Sequence, residues 1–204
     1  MNVRRNEDWG ELGPLPADAV VASTDREVSR LVEGCWANER TVPPVALVGG
    51  DLRRALGGTR SERELRHADD ALGALIDIGT VIVDSRRFAF AAHVIARSRW
   101  WSGPVFAVMN SEFLGEWIVA PRAHPGDGRF DLVEARLSIG DRSKARRRLP
   151  TGTHVPHPSI RVRTITATDI AFGCVRSIYV DGECVGRATA MQIECHGGAL
   201  HAYV

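Results

Sequence analysis

From residue 75 onward, short apolar or alternating segments follow one another with turn residues between them, and this pattern limits the possible folds more than any other feature. The turns read Asp-Ser, Gly-Asp-Gly, Asp-Gly and Gly-Gly, at hairpin-scale spacing. Such spacing predicts antiparallel sheets packed as a sandwich or barrel. The predicted strands are 75–83, 88–96, 105–109, 117–120, 130–135, 160–165, 170–172, 177–180, 190–194 and 199–204. One helix, over 139–148, interrupts the series.

The first 72 residues have a different pattern, in which strands and helices alternate. We predict strands over 17–22 and 45–48 and helices over 25–36 and 52–56. This order is typical of α/β folds, but it is too short for a complete doubly wound domain. The sequence therefore predicts two units, a shortened α/β region over 1–72 and a larger β-rich, antiparallel sandwich-like domain over 73–204.

Composition narrows the functional classes. The 204 residues are 44% hydrophobic and 25% charged, with a net charge of +1, which is ordinary for a globular protein and gives no reason to expect nucleic acid as a partner. The first eight residues have no apolar core behind their charges, so we expect no secretory signal. Four cysteines without CxxC spacing indicate reduced thiols and a cytoplasmic location.

Two acidic turns could carry chemistry. In Asp181-Gly182-Glu183, a tight turn would project both carboxylates outward, where one could deprotonate a hydroxyl. In the turn at 126–131, Asp127 and nearby carbonyls could hold magnesium. Taken alone, each turn is better explained as a solvated hairpin loop, because Asp-Gly is a common turn sequence.

Read together and in order, these turns and the segments around them resemble a known family. The segments are IDIG at 76–79, NSEFLG at 110–115, APRA at 120–123, GDGRFDLV at 126–133, LPTGTH at 149–154 and VDGE at 180–183. This ordered set resembles the diacylglycerol kinase catalytic family, which belongs to the lipid-kinase and NAD-kinase-like superfamily and carries the motifs aPxA, DDGxLDvv and VDGE. The resemblance covers residues 75–204 and implies a truncated two-domain lipid-kinase architecture.

The resemblance also implies roles for the acidic residues. Asp181 would be the general base acting on a lipid hydroxyl, and Glu183 would support it. Asp127, with Asp131 as a further candidate, would contribute to a magnesium site, in which Gly126 stands where the family often has a second acid. Phosphoryl transfer from ATP asks the protein mainly for positioning, charge neutralisation and a base.

The nucleotide-binding motifs are altered. The family's GGDGT loop aligns with 23–27, where only Asp25 is retained and Glu27 places a negative charge where phosphates should lie. A later family segment, PLGTxND, aligns with 45–51 and keeps Asp51 after Gly49 and Gly50. The strand and helix that precede this region in the family have no counterpart here, so we expect an N-terminally shortened sheet.

Three hypotheses for function follow from this pattern. The first is a lipid kinase that uses ATP and magnesium to phosphorylate a diacylglycerol-like hydroxyl, with an impaired ATP site. The second is a catalytically inactive relative, acting as a lipid- or protein-binding module. The third is an NAD-kinase-like nucleotide-binding protein. The sequence does not decide whether the chain is an enzyme, or which lipid it binds.

Expectations about partners come from two surfaces. A basic patch over 142–148 would suit an anionic membrane, giving peripheral association, although a solvated helix face is the simpler explanation. Trp100-Trp101 would serve in core packing, in an inter-domain contact or as an interfacial anchor. The strand at 17–22 would pair with a second copy if a homodimer completes the shortened sheet.

Overall fold

The structure is a computed structural model, and it describes residues 10–98 and 102–204. The predictions for residues 1–9, and for Trp100 and Trp101, lie outside the described residues. No helix in the described ranges is long and apolar enough to cross a bilayer.

Between residues 20 and 55 strands and helices alternate, as the sequence predicts, whereas the strand at 10–13 was not predicted. The elements of the N-terminal region are β1 (Gly10–Gly13), β2 (Val20–Ala22), α1 (Asp25–Ala37), β3 (Val45–Leu47), α2 (Gly50–Ala55) and α3 (Glu62–His67). Helix α1 begins after Thr24, whose hydroxyl accepts the N–H of Glu27, and it buries Val28, Val32 and Cys35 on one face. Spacing of three and four residues places these side chains together on the sheet.

The remainder of the chain is dominated by strands. They are β4 (Ala71–Val83), β5 (Arg86–Phe90), β6 (His93–Arg97), β7 (Val105–Met109), β8 (Phe113–Leu114), β9 (Trp117–Ile118), β10 (Phe130–Ala135), β11 (Ile160–Ile165), β12 (Ala167–Val180) and β13 (Glu183–Tyr203). Helix α4 (Ile139–Arg148) lies between β10 and β11 and runs into a single 3₁₀ turn, Leu149–Thr151. The predicted bounds of β7, β10, β11 and α4 match those of the structure.

Most of the strands belong to one sheet, with the order β1-β4-β13-β12-β6-β7-β10-β11. Neighbours along this path pair antiparallel, and β5 pairs antiparallel with β4. Strand β3 pairs parallel with β13, and β2 pairs parallel with β3, so both strands belong to the same sheet. The α/β region therefore continues into the β-rich sheet, and the predicted division between residues 72 and 73 stays a prediction.

Strands β6, β7 and β10 are buried on both faces. On one face, Val94, Phe106 and Leu132 lie in the main core with the apolar side chains of β4, β12 and β13. On the other face, Ile95 and Ala107 join a second apolar cluster beneath α4. Because successive side chains of a strand alternate between faces, such double burial needs continuous apolar runs, which these segments have. The antiparallel, sandwich-like prediction is thus confirmed.

The largest differences from the predicted element boundaries are in the long strands. The predicted strand 88–96 is split at Ala91-Ala92, while the strands predicted over 170–180 and 190–204 merge into long β12 and β13. Each long strand bends at an irregularity in its register, near Gly173 and near Gly198, both at positive φ. Helix α3 was not predicted, although Ser61 and Glu64 form a capping box in front of it.

Close packing in the sheet requires a glycine in β4. Gly79 pairs with Phe90 of β5, whose ring covers the glycine so closely that a Cβ there would lie 2.1 Å from a ring carbon. Phe90 is fully buried and also stacks against Phe130, with ring centroids 4.9 Å apart. A methyl group added at residue 79 would therefore collide with a buried ring.

We predict that Gly79→Ala lowers the free energy of unfolding by about 1–3 kcal/mol, because the added methyl group overpacks the core. Gly34→Ala is the matched control, since Gly34 lies within α1 and a Cβ there meets no atom within 4 Å. That variant should gain about 0.5–1 kcal/mol from helix propensity. Urea titration of both variants measures the difference, and equal midpoints would contradict the assigned packing.

Candidate functional site

In the segment that aligns with the family's phosphate-binding loop, side chains of the segment itself bind its backbone N–H groups. Glu27 accepts a hydrogen bond from the N–H of Ser23 at 2.6 Å, and Thr24 accepts from the N–H of Glu27 at 3.2 Å. A helix N-terminus offers unpaired N–H groups and attracts anions. At α1, a carboxylate of the same helix already lies against this turn.

The predicted nucleotide-site residues Asp25, Gly49, Gly50 and Asp51 are brought together by hydrogen bonds. The buried carboxylate of Asp25 accepts from the N–H of Asp51 at 2.6 Å and from that of Leu52 at 3.1 Å. Both glycines permit close approach, since a Cβ at Gly49 would lie 2.2 Å from a backbone oxygen and one at Gly50 2.5 Å from Asp25 Oδ1. Asp25 therefore caps α2 from within the protein.

Asp181, predicted as the general base, points inward. Its side chain is fully buried, and its carboxylate accepts hydrogen bonds from the backbone N–H groups of Ala91, Ala92 and His93 at 2.8–2.9 Å. The residue has a positive φ of 45°, so the turn directs the side chain into the break between β5 and β6. The prediction that this turn projects both acids outward is wrong for Asp181, because unpaired N–H groups at that break require an acceptor.

Glu183 is held by arginines of α1. One carboxylate oxygen lies 2.6 Å from Arg26 Nε and 2.8 Å from Arg30 Nη2. The hydrogen bond from Arg26 lowers the pKa of Glu183, and Arg30 acts in the same direction. Arg26 also contacts Glu33 at 2.9 Å. These ion pairs connect the start of β13 to α1.

His93 joins the two halves of the site, and it was not predicted as a site residue. Its ring is buried, with Nε2 3.5 Å from Asp51 Oδ2 and Nδ1 3.8 Å from Asp181 Oδ1. Nδ1 has no hydrogen-bond partner among the described residues. The sequence signal was a lone histidine within an apolar run, which is an unspecific pattern. An imidazole between two carboxylates can act as their internal counter-ion.

The ionisable groups of this cluster perturb one another. Burial raises the pKa of Asp25 to about 6, and the nearby Asp181 adds to the effect. Burial opposes the charged form of His93, but its contacts with Asp51 and Asp181 raise its pKa overall. Burial likewise works against ionisation of Asp51, yet the hydrogen bond from His93 and that from Gly115 lower its pKa. The raised pKa of His93 favours its protonated form, and the lowered pKa of Asp51 favours its ionised form.

In the predicted magnesium site, the carboxylates accept hydrogen bonds from backbone N–H groups and from one hydroxyl. Asp127 accepts from the N–H of Arg129 at 3.0 Å, while the buried Asp77 accepts from Gly128 at 2.7 Å and Gly198 at 2.9 Å. Asp131 accepts from the Thr164 hydroxyl at 3.2 Å. Within residues 10–98 and 102–204, no three His, Cys, Asp or Glu side chains are arranged to hold a metal ion. The magnesium site at Asp127 and Asp131 therefore stays a prediction.

Asn110 connects this acidic turn to the Asp181 cluster. Its buried side-chain amide donates 2.7 Å hydrogen bonds to the carbonyls of Asp77 and Ala91. Asp77 holds the turn at Gly128, and Ala91 belongs to the break that binds Asp181. The sequence marks Asn110 only through the family motif, because both of its partners lie far along the chain.

A separate apolar pocket of about 410 Å³ lies between α4 and the outer face of β6, β7 and β10. Its volume is within the range of about 300–1,000 Å³ that small-molecule sites occupy. Among its walls are Ala107, Trp117, Val133 and Ala145, while Arg142 and Arg146 line it as well. His154 also lines the pocket, and burial lowers its pKa. This arrangement suits a ligand with an apolar body.

The fold and the site define a class, the β-sandwich domain of NAD-kinase-like proteins joined to a short α/β region. Residues 72–204 match the family described as the YegS C-terminal NAD kinase beta sandwich-like domain, and the chain belongs to this family. The predicted membership of the lipid-kinase and NAD-kinase-like superfamily is thus confirmed. No curated protein matches the sequence.

Solved structures from Bacillus anthracis str. Sterne have a similar fold. A protein assigned as a diacylglycerol kinase shares 15% identity over 92% of this chain and 77% of its own, with a TM-score of 0.69. Another diacylglycerol kinase structure shares 17% identity over 92% and 76%, with a TM-score of 0.62. At this identity, the similarity establishes a lipid-kinase-like fold.

We predict that His93 makes stability depend on pH. Because its folded-state pKa lies above the ordinary 6.5, protonated His93 contributes stability that is complete below pH 6.5 and is lost as the pH rises through the raised value. The loss is about 1.4 kcal/mol for each unit by which the pKa is raised. Urea unfolding of wild type and of His93→Gln, across pH values that bracket 6.5, measures it. Parallel stability curves would contradict the prediction.

Proposed function

We propose that this protein is a lipid-binding member of its family whose central cleft does not transfer phosphate. The observation that carries the proposal is that carboxylates of this protein already accept hydrogen bonds from the backbone at the N-termini of α1 and α2. Glu27 lies against the first turn of α1, and Asp25 caps α2. An ATP phosphate would meet carboxylates where it needs free N–H groups and positive charge.

The acceptor side supports the same proposal. A general base must reach the hydroxyl proton within hydrogen-bond distance. Both carboxylate oxygens of Asp181 face backbone donors, and its side chain has no exposed area. Glu183 is engaged by Arg26 and Arg30. The carboxylates of the VDGE segment thus serve to join elements of the fold.

Lipid binding is assigned to the pocket beneath α4. Its walls are mainly aliphatic and aromatic, and the two arginines on α4 could meet a polar headgroup. A diacylglycerol-like molecule has this chemistry, with apolar chains and a polar end. The pocket is formed by the β-rich domain alone, so binding there does not require the altered loop.

A working lipid kinase is the second candidate, and one observation favours it. Asp25, Asp51, His93 and Asp181 converge in one buried cluster, and clusters of perturbed ionisable groups mark catalytic sites. On this hypothesis ATP and magnesium would be the cofactors, as the family resemblance implies. The NAD-kinase-like hypothesis would place NAD at the same cleft.

We predict that the wild-type protein shows no saturable heat of binding with Mg-ATP in calorimetry, since the phosphate positions hold carboxylates. Incubation with radiolabelled ATP and dioctanoylglycerol should give no phosphorylated lipid above the level of Asp181→Asn. Micromolar ATP binding with Asp181-dependent product would overturn the proposal in favour of the kinase. Phosphorylated NAD, formed when NAD replaces the lipid, would support the third hypothesis instead.

We predict that Ala145→Phe weakens dioctanoylglycerol binding at least about tenfold, because the new ring occupies the pocket. Ser143→Phe, exposed on the same helix, is the matched control and should bind like wild type. Displacement of a fluorescent fatty acid measures both affinities. Should Ala145→Phe fail to fold, Ala135→Leu fills the pocket from β10. Unchanged affinity in a folded pocket variant would show that the lipid binds elsewhere.

A further inference from the structure

Positive charge is concentrated in one stretch of the chain. Residues 134–165 contain eight Arg and Lys and two Asp and Glu, a net charge of +6, whereas the whole chain carries +1. Five of these cations lie on α4, at Arg142, Lys144 and 146–148, and Arg161 and Arg163 lie on β11. Arg161 and Arg163 lie on the opposite face of β11 from Ile160, which faces the pocket beneath α4, so we call the exposed side of α4 alone the basic face.

Acidic neighbours neutralise little of this charge. Lys144 lies 3.4 Å from Asp141, and Arg163 lies 3.4 Å from Glu134. Among the described residues, the exposed side chains of Arg147 and Arg148 have no carboxylate within ion-pair distance. The basic face therefore presents an uncompensated positive field to its surroundings.

Apolar side chains stand out among these charges. Ile139, the first residue of α4, is 89% exposed, and Val162, on the α4 side of β11, is 44% exposed. A single exposed apolar residue is ordinary, but these two lie on the same side of the sheet as the cations of α4. Cationic side chains combined with protruding aliphatic ones are the chemistry of peripheral membrane attachment.

The basic face is continuous with the apolar pocket. Arg142 and Arg146 belong to α4 and also line the pocket, together with Ala145 and Leu149. Ile160, at the start of β11, lines it from the other side. A bilayer surface held against α4 would therefore lie beside the pocket.

We propose that the basic face docks the protein on an anionic lipid bilayer, next to the pocket that takes the lipid. A duplex nucleic acid would also match the charge, but it offers no apolar layer for Ile139 and Val162, whereas a bilayer does. The docking itself depends only on the basic face. Its functional meaning rests on the lipid binding proposed above.

Vesicle flotation tests the docking. The full chain should float with phosphatidylcholine vesicles that contain phosphatidylserine, and should stay unbound with phosphatidylcholine alone. Arg147→Glu with Arg148→Glu should lower the partition coefficient at least about tenfold, since each basic residue near the surface contributes to binding. Ile139→Asp should also weaken flotation. Arg86→Glu with Arg87→Glu, at the exposed start of β5, is the control of equal charge and should float like wild type.

Three results would overturn the docking surface. They are equal flotation of both charge-reversed proteins, flotation that does not depend on phosphatidylserine, and retention by duplex DNA with no vesicle binding.

Dioctanoylglycerol affinity is measured on the same variants. Wild-type affinity in Arg147→Glu with Arg148→Glu, together with lost flotation, supports docking as a separate property. Flotation by a wild-type protein that binds no dioctanoylglycerol would overturn the proposed function and leave the docking intact.

Discussion

The buried carboxylate of Asp181 is the contact on which the arrangement of the site depends. It occupies the break between β5 and β6, where three consecutive N–H groups would otherwise lack acceptors. Charge-assisted bonds of this kind are stronger than neutral ones and outweigh a left-handed backbone that costs about 1–2 kcal/mol. Because Asp181 is fixed there, Glu183 is within reach of Arg26, and His93 is within reach of Asp51.

The same need for hydrogen-bond partners explains why carboxylates that match the family motifs can also stabilise the fold. Each carboxylate of the cleft has an internal partner: Asp25 holds α2, Asp51 contacts Gly115 and His93, and Glu183 contacts arginines of α1. A buried charge without such partners would cost several kcal/mol, so these contacts stabilise the junction between the α/β region and the sheet. On the function proposed above, these contacts remain intact because no nucleotide phosphate displaces them.

The sequence predicts the strands of the sandwich well because their signals are local. Alternating apolar residues and turn glycines suffice to place β10 or β11, whereas Gly173 and Gly198 indicate turns and in fact lie at bends within longer strands. Within the site, helix capping by Asp25 could not be foreseen, because its partners lie 26 and 27 residues away. His93 and the inward direction of Asp181 depend on still more distant pairings between β12, β6 and their connecting segments.

Helix α4 links the two properties proposed for the β-rich domain. Of its ten residues only Ala145 is buried, so the helix contributes little to the core and instead closes a pocket over a sheet that is already packed on its other face. Such a helix can be polar almost all round because its stability does not require a wide apolar stripe. Its exposed positions are therefore free to carry arginines, and a change of charge there alters the surface while the sandwich remains intact.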